Sequence, residues 1–268
     1  MEITNYILNE IQKSKRQGLD ITLIAGPFLE KCKNRKQLLE IIHVSKLIYC
    51  LKKEITILRK SESPDFIVIH KGEMVGLELE QIKNNKFASR MGDLNAITKR
   101  AQELFNIKYP DFVFQRTKRF GLLSIRAAIE FNYPLKFTKN CKEGLADNLA
   151  DLVYINAMLN KEIGNHFVKR IDIHGHSFNR FIHSPNINKT KSLDKDIIQK
   201  FISKKEAKYN DYRRKSSLDK QWLLLIAGGV NPDSYDVYDV ENLKFDTVFD
   251  EVYLLDYFNS KVYSLKRK

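Results

Sequence analysis

Cysteine is scarce in this chain, which contains only Cys32, Cys50 and Cys141. The count is odd and none of them belongs to a Cys-x-x-Cys pair, which argues against a disulfide framework and against a thiolate zinc site. Long apolar runs are also missing, since the longest candidate, around Trp222 to Val230, is far shorter than a membrane-spanning helix. Residues 1–16 carry charges throughout and lack the apolar core of a signal peptide. We therefore expect a cytoplasmic protein with no membrane partner.

Glycine and proline are few as well, with 11 and 6 residues in a chain of 268. No segment has the composition of a flexible linker, and no internal repeat is visible. The sequence therefore predicts a single domain over residues 1–268, with a helical N-terminal part at 1–60 and a sheet-containing core at 61–268. The Walker A loop, the Gly-x-Gly-x-x-Gly turn and the His-Glu-x-x-His helix are all absent.

Positive charge is what the chain has in excess. The formal net charge is +13 and the isoelectric point is about 9.4. The basic residues are spread along the chain rather than held in one tail, so we expect a basic surface on a folded protein. Such a surface attracts polyanions, and nucleic acid is the most common of them.

Helical and strand periodicities are mixed from one end of the chain to the other. Helices are predicted at 2–17, 29–58, 92–106, 145–161 and 194–214. Strands are predicted as a pair within 65–82 around a Lys71-Gly72 turn, at 112–116, 126–131 and 221–229, as a hairpin of KRIDIHGHSF with NRFIHS, and as EVYLLD and KVYSLK at the end. This mixture predicts an α/β fold with a central mixed β-sheet flanked by helices.

The predicted pair of strands at 65–82 carries a cluster of acids. Side chains alternate along a strand, so Glu78 and Glu80 share one face, about 7 Å apart. A turn centred on Lys71-Gly72 pairs residues whose numbers sum to 143, which places Asp65 opposite Glu78. Opposed like charges are unfavourable unless something neutralises them. Mg²⁺ or Mn²⁺ would do so, because hard cations take carboxylate oxygens. The alternative is a half-exposed hairpin whose acids meet only water.

These residues resemble a known signature. Pro64-Asp65, then a turn, then Glu78-Leu79-Glu80 on the next strand, is similar to the motif of the PD-(D/E)xK nuclease superfamily. The stretches FISKKEAKYNDYRRKSSLDKQWLLLIAGG and FDEVYLLD resemble an uncharacterised bacterial branch of it. The resemblance implies a restriction-endonuclease-like fold and a metal-dependent phosphodiesterase, acting on nucleic acid and most often on DNA. It also leaves a homodimer open, since many relatives of this fold are dimers.

One position departs from that signature. The lysine that helps to activate water should stand two residues after Glu78, where this chain has Glu80. The predicted helix at 194–214 offers a replacement, because Lys205 lies in the middle of an apolar stripe that includes Ile198 and Ile202. A lysine there needs an anion, which the acid cluster or a substrate phosphate would supply. The alternative is a lysine whose ammonium group reaches solvent along the helix surface.

The resemblance and the residue pattern together assign roles. Asp65 and Glu78 would be metal ligands, Glu80 would bind a second metal or orient water, and Lys205 would stabilise developing negative charge. Glu40 is a further candidate ligand, although a solvated acid is the better expectation for it. The expected substrate contacts are Lys208, Tyr209, Tyr212 and Arg116, whereas Lys204 is expected to point into solvent.

Two other functions stay open. If Glu80 in place of lysine marks a lost activity, the chain is a nucleic-acid-binding protein with a degenerate nuclease site. Alternatively, Asp172, His174 and His176 alternate along one predicted strand and would share a face, as ligands of a metal hydrolase do. The plainer interpretation of that strand is a polar surface.

Overall fold

The computed structural model describes residues 2–52, 54–112, 124–132, 138, 141–159, 164–176, 178–184, 191–228 and 233–268. The chain divides into two compact units. Unit 1 combines Met1–Asn84 with Thr190–Lys268, and unit 2 is Asn85–Lys189. The boundary near residue 60 that the sequence suggested coincides with neither end of unit 2, and a single domain for the whole chain stays a prediction.

The secondary structure elements are numbered in chain order. The helices are α1 (Glu2–Arg16), α2 (Thr22–Leu29), α3 (Arg35–Leu51), α4 (Asn85–Lys108), α5 (Lys142–Leu159), α6 (Lys195–Glu206) and α7 (Tyr209–Ser216). The strands are β1 (Ile55–Lys60), β2 (Phe66–His70), β3 (Glu73–Gln81), β4 (Ser124–Phe131), β5 (Val168–His176), β6 (Arg180–His183), β7 (Lys191–Ser192), β8 (Gln221–Ala227), β9 (Tyr235–Asp236), β10 (Lys244–Phe245), β11 (Glu251–Asp256) and β12 (Lys261–Arg267).

Unit 1 is built on a mixed sheet of seven strands in the order β1-β2-β3-β8-β11-β12-β10. Strands β1, β2 and β3 are antiparallel neighbours, whereas β3, β8 and β11 run parallel. Helices cover both faces of this sheet, α2 and α3 on one and α6 and α7 on the other. The predicted α/β fold with a central mixed sheet flanked by helices is therefore confirmed.

The β2–β3 hairpin has the predicted register. Lys71 and Gly72 form the turn with positive φ angles of 51° and 81°, which suits the twist of two-residue hairpin turns. The pairs run from His70 with Glu73 to Phe66 with Leu77. All of them sum to 143, so a pattern of alternating side chains and a short turn was enough to set the register.

The two faces of the hairpin have different partners. Val75, Leu77 and Leu79 lie in an apolar core with Ile41 and Leu47 of α3, as the alternation predicted. The opposite face of β3 carries the acids and turns toward α6. On that side Ile198 and Ile202 of α6 pack with Leu223 and Leu225 of β8. The acids therefore lie at the edge of an apolar layer, under α6.

Two helices differ from their predictions. The helix expected at 29–58 ends at Leu51, and residues 55–60 form β1, which pairs with β2. Ile55 and Ile57 are buried alternately, a period of two that adjoins the helical pattern without a break. The helix expected at 194–214 is two helices, because α6 ends at Glu206 and α7 begins at Tyr209.

Unit 2 is a three-stranded sheet in the order β5-β4-β6 with α4 and α5 packed on one face. The expected hairpin of β5 with β6 is wrong, because β4 lies between them. Strand β4 pairs antiparallel with β5 and parallel with β6. The strand expected at 126–131 is part of β4, while the strand expected at 112–116 falls almost wholly outside the described residues. No helix in the described part of either unit is long and apolar enough to cross a membrane.

Candidate active site

Asp65 sits immediately before β2, one step beyond the last pair of the ladder. Its main-chain N–H donates to Oε2 of Glu78 over 3.3 Å. In return, the main-chain N–H of Leu79 donates to Oδ2 of Asp65 over 2.8 Å. The two acids thus lie on neighbouring strands at the same level, as the hairpin register predicted, and one main-chain N–H donates to each carboxylate.

Lys205 reaches both glutamates from α6. Its Nζ atom lies 2.6 Å from Oε1 of Glu78 and 3.1 Å from Oε2 of Glu80. Glu78 is buried and the other two side chains are largely so, with 13% of Lys205, 7% of Glu78 and 14% of Glu80 exposed. The sequence left two positions open for Lys205, and the structure has the one in which it finds the acid cluster. Burial makes each contact strong, because ion pairs away from water are little screened.

Lys204 also contacts the cluster, contrary to the expectation that it points into solvent. Its Nζ atom lies 2.5 Å from Oε1 of Glu80, although 60% of the side chain is exposed. Consecutive residues on a helix project about 100° apart, so the two lysines reach Glu80 from different sides. Glu80 is therefore held between two ammonium groups.

The charges shift the pKa values of these groups. Burial, and then the charge of Glu78, raise the pKa of Asp65 to about 6, against the opposing effects of the Leu79 N–H and Lys205. Burial alone would lower the pKa of Lys205, but Glu78 and Glu80 outweigh it and raise that pKa. Lys205 consequently stays protonated at neutral pH, while Asp65 carries a charge that the folded chain disfavours.

Tyr212 of α7 is buried close to Glu78. Burial, and then the charge of Glu78, raise the pKa of its hydroxyl. The sequence predicted Tyr212 as a substrate contact, and the structure places it beside the acid cluster.

A cleft of about 490 Å³ opens beside Asp65, Glu80 and Lys205. Glu40 of α3 also lines it, with 14% of its side chain exposed, and is paired with Lys60 and more loosely with Lys36. The expectation of a solvated Glu40 is wrong, since the acid sits close enough to raise the pKa of Asp65. Three acids of unit 1, Asp65, Glu80 and Glu40, thus line one cleft.

Three basic residues that were not predicted from the sequence also line the cleft. Arg35 and Lys36 come from the first turn of α3, and Lys83 follows the end of β3. A sequence signal was present for Lys36, which lies four residues before Glu40 on one face of the helix. Together these residues place positive charge around the carboxylates, which suits a ligand that carries its own negative charge.

Two other predicted substrate contacts, Lys208 and Tyr209, lie outside the acid cluster. Lys208 is exposed between α6 and α7, and Tyr209 packs on Phe249 with ring centroids 5.2 Å apart. The break after α6 rotates α7, so a helical projection through residue 214 misplaces Tyr209. Arg116 lies outside the described residues.

Whether the acids fit a divalent cation depends on their chemistry and on their present partners. The donor set of Asp65, Glu78, Glu80 and Glu40 consists of carboxylate oxygens, which Mg²⁺ and Mn²⁺ prefer. Burial and the charge of Glu78 raise the pKa of Asp65, and a bound cation would oppose both effects. Nevertheless, no group of three or more histidine, cysteine, aspartate or glutamate side chains among the described residues is arranged to hold a metal ion. The residue types therefore suit Mg²⁺ or Mn²⁺, but their present arrangement does not, because lysines are bonded to Glu78 and Glu80.

The Asp172, His174 and His176 group shares a face of β5, as predicted, but has other partners. Oδ1 of Asp172 accepts from Arg170 over 2.7 Å, and Nδ1 of His176 lies 3.0 Å from the carbonyl of Phe178. His174 is exposed. The structure does not bring these side chains together as a metal site.

Gly76 allows the acid cluster to form. A Cβ atom at this position would lie 2.2 Å from Oε1 of Gln221 and 2.8 Å from Cγ of Pro64. Gln221 is fully buried and donates through Nε2 to Ser216 and Leu218. Pro64 immediately precedes Asp65, so the missing side chain at Gly76 sets how closely Asp65 approaches β3.

Comparison of the chain with protein-family models, with curated proteins and with solved structures finds no significant match.

Proposed function

We propose that unit 1 is a metal-dependent nuclease acting on DNA, with a PD-(D/E)xK-type site whose lysine comes from α6. The observation that carries the proposal is the 2.6 Å contact between Lys205 and Glu78. The signature has a lysine at the position that Glu80 occupies in this chain. Here the ammonium group of Lys205, from α6, lies beside Glu78 instead. The order of a helix, antiparallel strands and a later helix and strand supports a restriction-endonuclease-like fold.

Asp65 and Glu78 would hold Mg²⁺ or Mn²⁺, with Glu80 and Glu40 as further oxygen donors beside the cleft. Bound there, a divalent cation supplies a water of lowered pKa and neutralises charge on a phosphate. The main-chain N–H of Leu79 keeps the Asp65 carboxylate in place, and the main-chain N–H of Asp65 donates to the Glu78 carboxylate. Orientation of ligands by such surrounding contacts is a general requirement of metal sites.

The lysines and arginines of the cleft would act on the substrate. Lys205, protonated and buried, donates hydrogen bonds to a phosphate oxygen as its negative charge grows. Arg35, Lys36 and Lys83 bind phosphates on either side of the cleaved bond. The net charge of +13 favours the encounter with DNA.

The test is cleavage of plasmid and linear DNA in Mg²⁺ or Mn²⁺ by the full chain and by Asp65→Asn. Asparagine keeps an oxygen for the Leu79 N–H and removes the charge. Glu73→Gln is the matched control, because Glu73 is an exposed acid of the same hairpin that pairs with Lys220. We expect cleavage by the wild type and the control but not by Asp65→Asn. Equal cleavage by all three, or by none, contradicts the proposal.

A second candidate is a nucleic-acid-binding protein with a degenerate site. It is favoured by the pairing of both Glu78 and Glu80 with lysines, and by the lack of a three-ligand group in the described residues. In this case DNA is retained in a gel shift, equally by wild type and Asp65→Asn, with no cleavage in either metal. A cytoplasmic location and a dimer belong to both proposals, and light scattering of the purified chain tests the dimer.

A further inference from the structure

The sheet of unit 2 has one apolar and one polar face. Ile125, Ala127 and Ile129 of β4 point into the core made with α4 and α5. The alternate residues of the same strand point the other way, and Arg126 among them is exposed. Sheets that carry one solvated face show this alternation. The polar face therefore offers a surface that the proposed active site does not use.

Three basic or hydrogen-bonding side chains form a row across the middle of that face. Arg126 is paired in register with Arg180 of β6 on one side and with His174 of β5 on the other. All three are exposed. Neighbouring strands are about 4.8 Å apart, so the row spans roughly 10 Å. Two arginines directly opposite each other repel, and an anion bound between them would relieve that repulsion.

The acids of this face are already neutralised. Asp172 lies one position along the face from His174 and is bonded to Arg170 at 2.7 Å. Glu130 is paired with Lys169 at 2.7 Å. By contrast, neither Arg126 nor Arg180 makes an ion pair with any acid in the described part of the chain. The centre of the face thus holds positive charge, and the acids near it repel an anion little.

On the helical side of unit 2, by contrast, basic residues are paired with acids. There Arg100 pairs with Glu143 at 2.7 Å, Lys108 with Asp147 at 2.7 Å, and Lys142 with Asp93 at 2.5 Å. Unit 2 nevertheless has 17 lysines and arginines against 9 aspartates and glutamates, a formal charge of +8 out of the +13 of the whole chain. Pairing on the helices concentrates the unpaired charge elsewhere, and the row on the sheet is one place where it is exposed.

We propose that the polar face of the unit 2 sheet binds the phosphate backbone of nucleic acid through Arg126 and Arg180, with His174 as a further donor. Arginine donors match the geometry of phosphate oxygens. At about 3.4 Å of rise per nucleotide in a duplex strand, a row of roughly 10 Å corresponds to about three nucleotides. The contacts carry no base information, so binding is independent of sequence. The inference takes its ligand from the proposed function, but it concerns binding rather than cleavage.

The test measures binding of a fluorescent 30-base-pair duplex by anisotropy, in EDTA and at several salt concentrations. The proteins are the full chain, Arg126→Gln/Arg180→Gln and Arg90→Gln/Lys99→Gln. The last variant loses the same charge from α4, on the helical side of the unit. Because each lost phosphate contact lowers the salt slope by about one, the sheet variant should bind about tenfold or more weakly at 0.1 M salt, with a slope smaller by about two. The α4 variant should stay within about twofold of wild type.

Folding and function are checked separately. Arg126→Lys/Arg180→Lys keeps the charges and should keep most of the affinity, and circular dichroism confirms that each variant is folded. Equal affinity of the sheet variant and wild type, equal weakening by the α4 variant, or no duplex binding by wild type overturns the inference. If the sheet variant loses binding while no protein cleaves DNA in Mg²⁺, this inference stands and the nuclease proposal falls. If it binds normally and wild type cleaves, the reverse holds.

Discussion

The ammonium group of Lys205 lies 2.6 Å from a carboxylate oxygen of Glu78, 127 positions earlier in the chain. Both side chains are largely buried, and Lys205 provides a positive charge that Glu80, at the position of the signature's lysine, cannot provide. Lys205 also occupies a carboxylate oxygen that a metal ion would use, so its two effects on a nuclease site oppose each other.

Removing Lys205 should separate those two effects. In Lys205→Met, Glu78 loses a charged hydrogen-bond partner, and Mn²⁺ should bind about tenfold more tightly because that interaction is worth about 1.5 kcal/mol. Cleavage should nevertheless slow by about 10²- to 10³-fold, since a donor to the developing charge is lost. Mn²⁺ titration by electron paramagnetic resonance and single-turnover cleavage measure the two quantities.

Lys204→Met is the matched control, because Lys204 forms its ion pair with Glu80 rather than Glu78 and is largely exposed. It should change both quantities less than threefold. Weaker Mn²⁺ binding in Lys205→Met, or unchanged cleavage, would contradict the role assigned to Lys205.

Asp65→Asn should stabilise the metal-free protein in a pH-dependent way. The pKa of Asp65 is about 6 in the folded chain, above the ordinary aspartate value of 3.8. The folded state therefore binds the proton more tightly than the unfolded state, and the resulting stability is present below pH 4 and lost as the pH rises through 6. The variant lacks this loss, so its advantage should grow between pH 4 and pH 6 to about 1–3 kcal/mol at pH 8.

Urea unfolding at pH 4.5 and pH 8 measures this difference. Asp219→Asn, which changes a 97% exposed acid, should show no comparable trend. Added Mn²⁺ should stabilise the wild type more than Asp65→Asn. An advantage for Asp65→Asn that shrinks with rising pH would show that burial and Glu78 do not disfavour the charged form of Asp65.

Glu40→Gln should lower the pKa of Asp65. Glu40 lies in the same cleft, and its charge disfavours ionisation of Asp65. Carbon-13 NMR titration of the Asp65 carboxyl in the metal-free protein reads the shift directly. Glu54→Gln changes an exposed acid before β1 and should leave the pKa of Asp65 unchanged. A rise in the Asp65 pKa in Glu40→Gln would mean that Glu40 acts on the site in another way.

Gly76→Ala should move Asp65 and weaken the fold. The new Cβ would collide with Gln221 and with Pro64, and overpacking of this kind costs about 1–3 kcal/mol. Thermal unfolding should show the loss of stability. Cleavage should also fall, because a displacement of Pro64 would move the adjacent Asp65. Gly144→Ala on α5 meets no atom within 4 Å and should be neutral or stabilising by about 0.5–1 kcal/mol.

Local patterns predicted the part of the site that depends on neighbours in the chain. Alternation and a two-residue turn gave the β2–β3 register, and helical periodicity placed Lys205 on the buried side of α6. The rest depends on packing between distant segments. Glu40 reaches the cleft because α3 packs on β3. Tyr209 misses it because the helix breaks at Lys208, and β4 separates β5 from β6 although it precedes both in the chain.

Along the chain, unit 2 is inserted between β3 and α6, which fixes the order in which the residues of the site are synthesised. At about 5–20 residues per second, a ribosome needs about 6 to 25 s to add the 127 positions from Glu78 to Lys205. Throughout that interval the nascent chain holds Asp65, Glu78 and Glu80 with no lysine of α6 to neutralise them. A polypeptide truncated anywhere within unit 2 keeps all three acids and lacks Lys205, so we expect interrupted synthesis to release an inert fragment.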